Sequence, residues 1–244
     1  MGKYFTVEVL PTVTASKQAL GAFADGDLLF DWMAFDVPKG ASKLIKAAAV
    51  VKSADGTINS QALSLFFAKT INSTAPGSLG VIHATALGVG YFNHIIGGCY
   101  GEETGDILTG LDFVTYQNFD SNRSYANPGL VLQGEAESGT NVGYDKLYLG
   151  GISIDGTPSF ASTVQCDGIQ ATSQNILTVK TTPATRVFDK GDVLHDEDDR
   201  LIGTVKSVDS ATQMTMEENL ANATVDNKDL YCLNPYRILL SFER

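Results

Sequence analysis

Six short apolar runs lie within fewer than 70 residues at the C-terminal end of this chain, and they constrain the fold more than any other feature. They are Ile176–Thr181, Asp192–His195, Leu201–Val208, Thr212–Met216, Asp229–Leu233 and Arg237–Phe242. Turn signals separate them: Asp189-Lys190-Gly191, Asp196 to Asp199, Asp209-Ser210, Asn222 to Asn227 and Asn234-Pro235. No run is long enough for a packed helix. Strands of this length and spacing predict a small β-barrel or SH3-like module.

The rest of the chain reads as longer strands. Phe5, Val7 and Val9 alternate with Thr6 and Glu8, the period of a half-buried strand. Asp25-Gly26-Asp27 is a turn before Leu28 to Trp32, and Val37-Pro38-Lys39-Gly40 is another. Ser42 to Lys52 suits a strand or a short helix. Asp55-Gly56 predicts a tight hairpin, with the return strand at Gln61 to Lys69. Residues 72–80 form a loop, and a short helix is expected near Ala84 to Ile96. Further strands are expected at Leu111 to Gln117, Leu130 to Gly134 and Lys146 to Ile154, with turns at Asn127-Pro128-Gly129 and Asp155 to Pro158. Residues 161–175 are small and polar and mark a boundary. The expected fold is therefore all-β: a jelly-roll-like β-sandwich over residues 1–165, then a small SH3-like β-barrel over 170–244.

Composition narrows the function. The 244 residues carry 17 basic and 28 acidic side chains, a net charge of −11. Such a chain lacks the broad basic face that binds nucleic acid or an anionic membrane. Hydrophobic residues make up 43%, enough to fold rather than stay disordered. Charge is uneven: residues 1–52 sum to +1, 53–169 to −8 and 170–244 to −4. The N-terminus has no apolar leader-like stretch, which points to a soluble protein made in a cytosol. Met1 to Thr6 fits a myristoylation pattern, but the pattern fixes few positions. The sequons at Asn72, Asn122 and Asn222 read as polar loops. Cys99, Cys166 and Cys232 are scattered and odd in number, which suits reduced, buried thiols.

Catalytic signatures are missing. There is no Gly-x-Ser-x-Gly, HExxH, Walker or Gly-x-Gly-x-x-Gly motif; Gly88-Val89-Gly90 lacks the third glycine. His195 to Asp199 is dense in oxygen donors but lacks the spacing of a Ca²⁺ loop, and reads as a solvated turn. Glu102, Glu103 and Asp106 read as an exposed acidic loop rather than a glycosidase pair. His83 and His94 read as core or interface histidines. Phe30, Trp32 and Phe35 could stack on a sugar, but Phe30 and Trp32 share strand parity and core packing is expected. No enzyme activity, no metal and no cofactor are expected. Two terminal strands look adhesive and stand where sheet edges commonly lie: Phe5–Leu10, through Phe5, Val7 and Val9, and Arg237–Phe242, through Arg237 and Leu239. Residues 1–10 are read either as an internal strand of their own sandwich or as an edge that pairs with a second chain.

Two stretches carry a resemblance. The first is Phe23-Ala-Asp-Gly-Asp-Leu-Leu-Phe-Asp-Trp with Gly40 to Val51, Ala62-Leu-Ser-Leu-Phe-Phe and Tyr148 to Phe160; the second is Asp189-Lys-Gly-Asp-Val-Leu with Leu201 to Val208, Asp209 to Met216 and Asp229 to Pro235. The first resembles the N-terminal sandwich of structural proteins in tailed-bacteriophage virions, the second the small barrels appended to phage capsid, tail and fibre proteins. The resemblance implies a non-enzymatic virion structural protein, foremost a decoration (cement) protein on the capsid exterior. Its implied partners are the major capsid protein and further copies of itself, as a trimer; either would supply the second chain at residues 1–10. The alternatives are a neck, tail or fibre component, or a carbohydrate-binding module for host glycans.

Overall fold

The structure, a computed structural model, describes residues 3–56, 62–86, 90–101, 107–108, 114–119, 130–135, 144–154 and 158–244. Its strands are β1 (Tyr4–Val9), β2 (Leu28–Pro38), β3 (Ser42–Lys52), β4 (Leu63–Lys69), β5 (Ile95–Gly101), β6 (Ile107–Leu108), β7 (Val114–Phe119), β8 (Leu130–Leu132), β9 (Tyr144–Ser153), β10 (Val164–Cys166), β11 (Ile176–Thr181), β12 (Val193–Asp196), β13 (Leu201–Ser210), β14 (Gln213–Met216), β15 (Leu230–Cys232) and β16 (Tyr236–Glu243). A single turn of helix, α1 (Ala15–Gln18), follows β1. The fold is all-β, as the turn-punctuated alternation requires.

Two antiparallel sheets face each other over the first core. One runs β1-β16-β3-β7-β6, with β8 also pairing β3; the other runs β2-β9-β4-β5. Strand β16 shows why they pack. Tyr236, Ile238, Leu240 and Phe242 are buried while the residues between them face outward. They meet Leu63, Leu65 and Phe67 of β4, Leu147 and Leu149 of β9, and Phe35 and Val37 of β2 in one apolar cluster. The aromatic rings also set the sequence of β9. A Cβ at Gly151 would lie 2.3 Å from the Phe30 ring, and one at Gly150 would lie 2.5 Å from Leu79 and 3.1 Å from Trp32, so only glycine lets both faces of the strand be covered.

The third sheet, β10-β11-β14-β13-β12-β15, encloses a second core of Val164, Cys166, Leu177, Val179, Leu194, Ile202, Val205, Met214, Met216 and Leu230. Its two ends meet: Gln165 bridges Asp229, and Cys166 N–H donates to Lys228 O at 2.9 Å.

Several expectations change. The last strand does not join the second core. Four of its side chains fill the sandwich instead, so the second core draws on residues 164–232 and sits between two segments of the first. The stretch 161–175 is not a bare linker, because β10 lies inside it with Val164 and Cys166 fully buried. Gly56 does adopt the left-handed turn conformation, with φ +81°, but β3 and β4 lie in different sheets and form no hairpin. Residues near Ala84 form no helix. His83 N–H donates to Leu28 O and Leu28 N–H to Ala84 O, so this backbone covers the start of β2. The expected turns at 127–129 and 155–157, residues 111–113 of the expected strand, Gly88 and Asn122 lie outside the described residues.

Candidate docking surface

Among the described residues, strand β1 is held on one side only. Lys3 N–H donates to Arg244 O at 3.2 Å and Arg244 N–H to Lys3 O at 2.9 Å, which fixes the phase of the ladder. Phe5, Val7 and Val9 therefore direct their backbone N–H and C=O groups to Phe242, Leu240 and Ile238. Tyr4, Thr6 and Glu8 direct theirs the opposite way, where no described residue pairs with them. Their side chains do not cover that edge either. Tyr4 Oη donates to Glu243 Oε1 at 3.1 Å, Thr6 Oγ1 lies 3.4 Å from Ser241 Oγ, and Arg237 Nε donates to Glu8 Oε1. All three lean back over β16. The Glu243 carboxylate, held by the Tyr4 hydroxyl, raises that phenol above its ordinary range.

The five residues expected at an interface separate into two groups. Phe5, Val7 and Val9 face their own core; the Phe5 ring stacks on Phe242 with centroids 5.1 Å apart. Arg237 and Leu239 lie on the outer face of β16, Arg237 exposed and Leu239 half-buried. Strand β16 is not a sheet edge, since β1 flanks it on one side and β3 on the other. Sequence reasoning passed over Tyr4, Thr6 and Glu8. The signal that finds them is the other phase of the same alternation.

The two ends of β1 differ. At its start, Lys3, Lys39, Lys43 and Arg244 are exposed and adjacent: Arg244 pairs with Lys3, its Nη2 donates to Lys39 O, and Lys43 sits opposite Glu243. The lysines of this group have no ion-pair partner among the described residues, and nearby Asp145 turns inward to accept the Gly40 N–H. At its end, a cleft of about 310 Å³ separates Glu8, Leu10, Asn234 and Arg237 from Asp189, Lys190 and Asp192 of the second unit. Below the cleft the units are bonded. Lys52 pairs with Asp192, and buried Gln18 donates through Nε2 to Val13 O at 2.7 Å and to Cys232 O at 2.8 Å. Asn234 Nδ2 donates to Leu10 O and Pro11 O, both at 3.2 Å.

Other candidates are committed to structure. Asp196 is 1% exposed and accepts the Asp198 and Arg200 N–H groups, while Arg200 Nε donates to it at 2.8 Å. The turn is solvated at Asp198 and Asp199, as expected, while its first carboxylate, Asp196, is turned inward and paired with Arg200. The carboxylate holds the Arg200 guanidinium above its ordinary value. Among the described residues no three His, Cys, Asp or Glu side chains are grouped to hold a metal ion. His94 Nδ1 lies 2.8 Å from Lys69 O, and His83 packs on the Phe23 ring. Burial pushes the thiols of Cys99, Cys166 and Cys232 up to about 12, so they stay protonated and unreactive. Trp32 is not in the main core. A register shift between Phe30 and Met33 turns it to the outer face of β2, where Nε1 donates to Gly77 O at 2.9 Å and the ring meets Tyr91 edge-on. Glu102, Glu103 and Asp106 lie outside the described residues. Among the described residues no helix is long and apolar enough to cross a membrane.

Comparison with protein-family models finds none that matches the chain, and comparison with curated proteins finds no relative.

Proposed function

We propose that this chain is a non-enzymatic structural protein of a tailed-phage virion, a decoration protein that docks on the outside of the capsid and stabilises the shell. The observation that carries the reading is the cation group Lys3, Lys39, Lys43 and Arg244, gathered on one end of a sheet in a chain of net charge −11. A protein that is acidic elsewhere and basic at one place meets an acidic surface in one orientation, because the rest of its surface is repelled. The stiff sandwich beneath the group, with Arg244 paired to Lys3 and β16 packed into the core, suits adhesion rather than turnover. The resemblance to virion proteins supplies the partner class, the major capsid protein.

Co-sedimentation tests the reading. The purified protein is mixed with capsids that lack it, and bound protein is measured along with the temperature of capsid disruption. Binding with a raised disruption temperature is expected. Lys39→Glu combined with Lys43→Glu should abolish most binding and leave the melting temperature of the free protein unchanged. Absence of binding by the unaltered protein, or full binding by the double variant, would overturn the proposal.

A further inference from the structure

We infer that β1 is a self-pairing edge: a second copy of the chain adds antiparallel to it about a two-fold axis through Thr6. The inference stands on β1 alone and does not depend on what the assembly is for. It begins with how sheet edges are kept apart. Free edges template the addition of another strand, so proteins that stay single blunt them with bulges, proline, short strands or covering loops. The other sheet ends among the described residues are blunted. Strand β2 carries two register shifts and ends in Pro38; β5 carries Gly97, Gly98 and a register shift at its partner; β6 has two described residues and β8, which pairs only the start of β3, has three; β10 and β15 have three each and meet through Gln165 and Asp229. Strand β1 has six residues, no register shift, and no proline before Pro11.

The edge is also complementary to itself. Its outward backbone groups belong to Tyr4, Thr6 and Glu8, centred on Thr6. In an antiparallel pair about that residue, Thr6 faces Thr6 of the other copy and Tyr4 faces its Glu8, each facing pair exchanging two backbone hydrogen bonds. No like charges meet. Thr–Thr and Tyr–Glu are favourable cross-strand neighbours, whereas a register placing Glu8 opposite Glu8 would be repulsive. On the inner face Phe5 would meet Val7 of the other copy. Both are only half-buried at present, while their sheet neighbours Leu240 and Phe242 are fully buried. The second copy removes that remaining apolar exposure. The contact closes in pairs; it differs from the trimer that the resemblance implies, and a virion protein could use both.

The test uses the full chain in light scattering after size exclusion over a range of concentrations. The unaltered protein is expected at twice the chain mass when concentrated. Thr6→Pro removes an N–H that faces away from β16, so the ladder to β16 is kept; this variant should be monomeric at every concentration with an unchanged circular dichroism spectrum. Should Thr6→Pro not fold, a second variant decides. In the two-fold register the Cα atoms of Thr6 and its copy lie about 5.5 Å apart, within disulfide reach. Thr6→Cys should therefore cross-link to a covalent dimer on mild oxidation, while Glu8→Cys, about 13 Å from its own copy at the strand rise, should not. The native cysteines are buried and do not compete. A monomer at all concentrations, a Thr6→Pro variant that stays dimeric, or equal cross-linking at both positions would overturn the inference. So would a monomer whose capsid binding is lost on Thr6→Pro, because the edge would then take a capsid strand instead.

Discussion

Strands β1 and β2 each end a sheet of the same sandwich, and they are finished in opposite ways. Strand β2 is bent by register shifts between Leu28 and Phe30 and between Phe30 and Met33. Its margin is covered: Asp31 Oδ1 accepts the Leu79 N–H at 2.8 Å, Ser78 Oγ donates to Asp31 Oδ2, Trp32 Nε1 reaches Gly77 O, and Leu28 exchanges bonds with His83 and Ala84. Among the described residues strand β1 has none of this and presents Tyr4, Thr6 and Glu8 bare. A third solution appears in the second unit, whose sheet meets itself at Gln165 and Asp229. One chain thus covers an edge, closes a sheet and leaves an edge open. Because the chain has the means to blunt an edge, the open one reads as a contact surface rather than as an oversight.

That comparison can be broken at its foundation. Phe242→Ala removes the ring on which Phe5 stacks, at a fully buried site beneath β1, and should cost about 3–5 kcal/mol in urea unfolding. A cost below about 1 kcal/mol would mean that β1 does not rest on β16 through this contact.

Val7→Pro deletes a ladder bond to Leu240 and should cost about 1–3 kcal/mol by leaving an acceptor unpaired. Thr6→Pro, one residue away, should cost under about 0.5 kcal/mol in the monomer. Equal losses for the two would show that the phase assigned to β1 is wrong.

Asp31→Ala removes the bonds that hold Ser78 and Leu79 to β2 and should cost about 1 kcal/mol. It should also increase amide exchange along β2 and leave β1 unaffected. Unchanged exchange in β2 would mean that the loop does not guard that strand.

The smallest effect concerns the closed sheet. Burial raises the Asp229 carboxyl above its ordinary value, with Glu197 adding to it. The ionised form is therefore disfavoured on folding at neutral pH, and the penalty disappears as pH falls through the folded value towards the unfolded one. Asp229→Asn should melt slightly above the unaltered protein at neutral pH, and the difference should close below about pH 4. A variant that melts lower at neutral pH would contradict this.

Much of the fold was legible because alternation and turns are local properties. Strands β11 to β16 lie within a residue or two of the runs read from the sequence. What was not legible depends on partners distant in the chain. Nothing in Tyr236–Glu243 says that it crosses back to β3, since its apolar parity would serve either core. Val164 and Cys166 look like members of a polar linker until β11 and the segment before β15 close over them. Trp32 changes face because of a bulge, and a bulge breaks the parity on which the sequence argument relied. The docking surface was half legible. The adhesive N-terminal strand was read from Phe5, Val7 and Val9, but those side chains serve the core. The edge itself is backbone, whose direction becomes visible only when the register to β16 is known.

Amide hydrogen exchange of the unaltered protein, resolved residue by residue at low and high concentration, tests the open edge most directly. The amides of Phe5, Val7 and Val9 should be protected at both concentrations. Those of Tyr4, Thr6 and Glu8 should exchange freely when dilute and become protected when concentrated. Protection of Tyr4, Thr6 and Glu8 in the dilute protein, or free exchange in the concentrated one, would contradict a β1 edge that is bare in the single chain and filled by a second copy.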